Sequence, residues 1–210
     1  MRVMVAVIGL CSLSHTLAGQ SVTFGVKAGP NSSRQVGWCC GESNPFDSRT
    51  GLTGGVTASV HIRGPLAFQT ELLYAGKGVR GIDVFQMRLH YLEIPLLLRL
   101  APSARHSIRP VVLLGAAPAF ELSCTGRTRP LSIPESPAPV VPLNCSAYRT
   151  TASDVGLVGA LGAELRLASL TWTAEARYTP GIGDLTAEWN YVRTTNRSLA
   201  LLFGIRVGQQ

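Results

Sequence analysis

Five glutamates sit in apolar, strand-like segments, and within each segment they share a side with the arginines. In Leu92-Glu93-Ile94-Pro95-Leu96-Leu97-Leu98-Arg99-Leu100, an extended backbone sends neighbouring side chains to opposite faces. Leu92, Ile94, Leu96, Leu98 and Leu100 then form a wholly apolar face, with Glu93 and Arg99 on the other. Leu170 to Tyr178 repeats the arrangement, placing Thr171, Thr173, Glu175 and Arg177 together. A soluble sheet hides its apolar face in a core, whereas a membrane barrel turns it to lipid and keeps charge inside.

Composition favours the second solution. Charged residues make up 15% of the 210 residues, against roughly 25% in soluble domains. Mean hydropathy is +0.22. Yet no apolar run reaches the ~18 residues that a spanning helix needs. A chain that is apolar on average but never continuously so alternates. The formal charge of +7 comes from single basic residues along the strands and not from a block, which argues against a nucleic-acid partner.

The N-terminus reads as a secretory signal: Arg2, an apolar stretch from Val3 to Cys11, then Thr16-Leu17-Ala18. Cleavage after Ala18 leaves a single barrel domain, 19–210. The exported chain keeps Cys39, Cys40, Cys124 and Cys145, an even number that suggests disulfides. Cys124–Cys145 would staple the Pro-rich loop between them, and a crossed pairing with Cys39 or Cys40 stays open. No histidine lies near these cysteines in sequence, so neither a metal site nor a cofactor is expected.

Eight strands are predicted, at about 21–29, 51–62, 66–76, 86–100, 107–123, 153–167, 169–179 and 197–207. Long connections (30–50, 77–85, 124–152, 180–196) alternate with short ones (Arg63-Gly64-Pro65, Ala101 to His106, and Ala168 or little more). Outer-membrane barrels alternate in the same way, with short periplasmic turns and long outer loops. The expected fold is therefore an all-β, eight-stranded, antiparallel up-and-down transmembrane barrel.

That assignment sends Lys27, Glu71, Glu93, Arg99, Arg109, Glu121, Glu164, Arg166, Glu175, Arg177 and Arg206 into the lumen, five acids against six bases. Near balance suggests mutual pairing in an interior only wide enough for side chains to fill. His61, His90 and His106 are scattered, and His90, Asp83 and Ser123 read as solvated rim residues, so no enzyme is expected. Gly76-Lys77-Gly78 matches no phosphate loop.

The order of segments resembles the outer-membrane β-barrel family often labelled "porin family" or PorT-like. The resemblance rests on Phe24-Gly25-Val26-Lys27-Ala28-Gly29-Pro30-Asn31, on Phe68 to Tyr74 with Lys77-Gly78, and on Tyr91-Leu92-Glu93-Ile94-Pro95-Leu96-Leu97-Leu98. Asp154 to Ala160 and Ala176-Arg177-Tyr178 with Gly181 complete it. It implies an eight-stranded barrel in a Gram-negative outer membrane and, as for most members of that family, no defined activity.

Three functions compete. The first is a filled, monomeric barrel in contact with membrane lipid, meeting extracellular or envelope proteins through loops 30–50 and 124–152. The second is porin-like passage of small solutes or ions. The third is a soluble lipocalin-like barrel with its faces inverted, whose exterior would hold too little charge for solubility.

Overall fold

Alternation with a period of two leaves each segment one face that water rejects, and only an extended backbone keeps the two faces apart. The computed structural model describes residues 21–37, 47–80, 86–102, 107–128, 139–143, 153–183 and 194–208. Ten strands follow in order: β1 (Val22–Gly37), β2 (Asp47–Arg63), β3 (Leu66–Arg80), β4 (Gln86–Glu93), β5 (Leu96–Leu100), β6 (Ile108–Thr128), β7 (Val141–Leu143), β8 (Ser153–Leu167), β9 (Leu170–Pro180) and β10 (Thr194–Gly208). Every pairing is antiparallel, and the chain of pairings returns from β10 to β1, from Thr23↔Gly208 to Gly37↔Thr194.

The ring has eight staves, because β4 and β5 are two halves of one and β7 is a short addition to the end of β6. The segment 86–100, expected as one strand, is interrupted at Ile94-Pro95. Proline has no N–H to give to a ladder. The wall stays closed there because Ile94 N donates to Pro118 O and Glu71 N to Pro95 O.

Several strands outrun the sequence reading. β1 continues to Gly37, β2 begins at Asp47, β3 reaches Arg80 and β6 reaches Thr128, taking in parts of the stretches 30–50, 77–85 and 124–152. At these ends the outward positions become polar, with Arg34, Arg80, Arg88 and Arg127 replacing leucine and valine. The hydropathic alternation fades while the backbone ladder continues.

The faces are inverted relative to a soluble protein. Leu161 is 68% exposed, while Glu71 is 3% exposed. Apolar side chains outside and charge inside suit hydrocarbon, and a closed ring leaves no unpaired edge in it. Exposed aromatics form two rows, Phe24, Phe68 and Trp172 toward the short turns and Tyr74, Phe120 and Tyr178 toward the long loops. Among the short turns, Gly64 (φ 57°) and Ala168 (φ 52°) take the left-handed conformation that tight reversal requires.

Candidate functional site

The inward faces bring charges from distant strands together in three groups. The middle group joins Lys27 on β1, Glu71 on β3, and Glu175 and Arg177 on β9. Lys27 Nζ donates to Glu71 Oε1 and Glu175 Oε2, each at 2.8 Å. Arg177 grips Glu71 with Nη1 to Oε2 at 2.7 Å and Nη2 to Oε1 at 3.0 Å, and its Nη2 also lies 2.7 Å from Glu175 Oε1. Gln69 Nε2 donates to Glu71 Oε1 at 2.6 Å. Two acids and two bases make this group neutral. Lys27 stands between Gly204 and Gly55 in register, so neither neighbouring strand places a side chain beside its stem.

The second group lies toward the short turns. Glu164 on β8 receives Arg99 from β5, Arg109 from β6 at 2.7 Å and Arg206 from β10 at 2.6 Å. Arg206 Nη2 also donates to Thr23 Oγ1 and Ser59 Oγ, each at 2.6 Å. The third group lies toward the long loops, where Lys77 pairs with Glu93 and its Nζ stands 5.4 Å from the centre of the Tyr91 ring. Nearby, Asn196 Nδ2 donates to Asp154 Oδ2 at 3.1 Å.

Apolar side chains and small polar ones such as Asn31, Ser33 and Thr57 share the rest of the described interior. Leu97, Val111, Leu113, Ala117, Val158 and Ala160 pack together on the inner side of β5, β6 and β8. Met87, Leu89, Tyr91 and Ala119 form a second cluster, against which Cys124 packs. Between the middle group and the Glu164 group lies a cavity of about 20 Å³, lined by Lys27, Gln69, Arg99, Glu164, Glu175 and Arg206 among others. One water needs about 10–15 Å³ of such space, so the cavity takes a single water.

The residues predicted from sequence divide as follows. The side chains of Lys27, Glu71, Glu93, Arg99, Glu164, Glu175, Arg177 and Arg206 are buried in the lumen. Arg109 is partly exposed at the mouth. Glu121 is half-buried at the top of β6, next to the bulge between its pairing with Tyr91 and the pairing of Ser123 with His90. Arg166 is not in the lumen: it is exposed at the end of β8, where the strand has passed beyond the interior. Lys77, read as part of a glycine-rich loop, is instead a buried lumen cation. The signal that could have found it is parity, because 69, 71, 73, 75 and 77 fall on one face of β3.

Cys124 is disulfide-bonded. Cys39, Cys40 and Cys145, together with residues 1–18, lie outside the described residues. His90 is on the outer wall, stacked on Tyr74 with ring centres 5.5 Å apart and hydrogen-bonded to its hydroxyl. His61 is exposed and bonds Gly64 O at 2.8 Å. Among the described residues no group of His, Cys, Asp and Glu could hold a metal.

Residues 18–187 match the family model described as "Outer membrane protein beta-barrel domain". The fold is similar to that of Neisserial surface protein A, NspA, at 15% identity and a TM-score of 0.53, over 90% of this chain and 98% of that one. OprG, an outer membrane protein of Pseudomonas aeruginosa, aligns at 13% identity and a TM-score of 0.46, over 91% and 97%. No curated protein matches the sequence.

Proposed function

This chain belongs to the outer membrane β-barrel domain family, and from that premise we propose that it is a filled, non-conducting barrel whose work is done at its outer loops. Its place is the outer membrane of a Gram-negative cell. One observation carries the proposal: the lumen between its two lower charge groups narrows to a cavity of about 20 Å³. Hydrated ions need a continuous wet path, and here leucines, valines and paired charges occupy it. The ion pairs lock this packing, because separating one strands an uncompensated charge away from water.

With no passage through the middle, exchange with the surroundings falls to the two ends and the outer wall. The wall takes membrane lipid. The stretches 30–50 and 124–152, at the long-loop end, are the surfaces for an extracellular or envelope protein, and a single copy closes the barrel without a partner. This reading assigns no catalytic role to His90, whose described contacts are with Tyr74 on the outer wall.

Planar-bilayer recording tests the reading. Folded protein gives no stable conductance step, whereas steps of porin size would overturn the filled lumen and favour solute passage.

A further inference from the structure

The lumen is closed in the middle but open at its short-turn end. There a vestibule of about 130 Å³ is bounded by the Gly64-Pro65 turn and the ends of β1, β2, β5, β6 and β10. On the measure by which the smaller cavity takes one water, it has room for several, enough for one phosphate group. Its polar lining is Arg99, Arg109, Arg206, His61, Thr23 and Ser59, with the backbone and small side chains of Ser21, Gly64, Pro65, Ala67 and Ala101 completing it. No acid is among these lining residues. Glu164 stands behind the arginines, on the wall of the smaller cavity above.

Hydrogen-bond capacity is in excess here. A guanidinium carries five N–H donors. Arg99, 6% exposed, has Glu164 as its polar partner. Arg206, 7% exposed, spends its terminal nitrogens on Glu164, Thr23 and Ser59, and its buried Nε has no partner. These two cations already outnumber the one carboxylate they share, and Arg109 adds a third guanidinium at the rim. A net positive charge on Arg99 and Arg206, with the Arg206 Nε unpartnered, is costly in the interior unless an anion joins it.

We propose that this vestibule binds a small tetrahedral oxyanion of the phosphate class, entering and leaving through the periplasmic mouth. Three guanidiniums arrive from three different strands, β5, β6 and β10, and enclose a volume. That arrangement suits the several oxygens of a tetrahedral group better than the two coplanar oxygens of a carboxylate. Thr23 and Ser59, now bonded to each other at 2.7 Å, can turn a hydroxyl toward it. The cavity above takes one water, so the ligand has a single way in. The site stands on its own geometry, whatever the outer loops do.

Titration calorimetry on the folded barrel in detergent, with inorganic phosphate in chloride buffer, tests the assignment. Saturable binding is expected. Arg99→Lys keeps the charge but loses the fork and should weaken binding about tenfold. Ala101→Leu fills the vestibule without touching a charge and should abolish binding, while Arg80→Gln on the outer wall should leave it unchanged. Glycerol phosphate distinguishes the sources: equal binding points to an ester head group, and its exclusion points to the free ion. No saturable phosphate binding by folded wild type, full binding by the Ala101→Leu variant, or acetate competing as well as phosphate would each overturn the proposal.

Discussion

Arg177 and Glu71 are 106 residues apart in the chain, yet they meet in a two-bond fork across the lumen, at 2.7 and 3.0 Å. Both are buried, and Lys27 and Gln69 complete the carboxylate's partners. The fork ties β9 to β3 through the interior, across strands that do not pair in the wall.

Glu71→Gln leaves Arg177 and Lys27 facing one carboxylate, that of Glu175, where there were two. Breaking a buried pair typically costs about 3–5 kcal/mol. Equilibrium unfolding in urea, followed by tryptophan fluorescence in lipid vesicles, should show a loss of that size. The double change Glu71→Gln with Arg177→Met should lose less than the sum of the single changes. Additive losses would mean the two side chains are not coupled.

Leu161 lies mid-strand on β8 and is 68% exposed. On a water-facing surface Leu161→Arg would change stability by about 0.5 kcal/mol or less. On a lipid-facing wall it should cost about 2–4 kcal/mol. The same unfolding measurement decides between the two, and a neutral result would place this face in water.

Gly55 and Gly159 make a matched pair. A Cβ at Gly55 would stand 1.9 Å from the carbonyl oxygen of Leu72, whereas one at Gly159 meets nothing within 4 Å. Gly55→Ala forces β2 away from β3 and should cost about 1–3 kcal/mol, as overpacking does. Gly159→Ala should be tolerated. Heat-modifiable mobility on gels, which reports a closed barrel, should fall for the first variant alone.

Cys124 anchors the upper end of β6 against the Met87–Leu89–Tyr91 cluster. If the bond runs to Cys145, the variant Cys124→Ser exposes one maleimide-reactive thiol on the peptide carrying Cys145. A crossed pairing exposes Cys39 or Cys40 instead. Peptide mapping by mass spectrometry reads the answer directly, and the barrel should stay closed in either case because the ring is complete without this bond.

The two faces of each strand were plain in the sequence because hydropathy alternates with the pleat. Which inward charges meet was not. Glu93 and Arg99 share a face of one stave, but Glu93 pairs with Lys77 and Arg99 with Glu164. Those partnerships depend on the stagger between strands, to which local alternation is blind. Parity also says nothing of height, so Arg166 looked like a lumen residue although it lies past the interior. The run Leu96-Leu97-Leu98 hid the inward Leu97, because leucine stands on both faces there. Pro95 was visible as a residue, but its effect as a break in the wall depended on the neighbours that cover the gap.

The seam between β1 and β10 has a consequence for how such a chain is made. The first and last strands hydrogen-bond to each other from Thr23↔Gly208 to Gly37↔Thr194. Until β10 has emerged from the ribosome, β1 and β9 each present an open row of N–H and C=O groups, and in hydrocarbon each such group costs several kcal/mol. Strands entering hydrocarbon one at a time would carry that cost at every stage short of closure. The seam therefore makes the barrel all-or-nothing: only the pairing of β1 with β10 covers the last open edge in hydrocarbon.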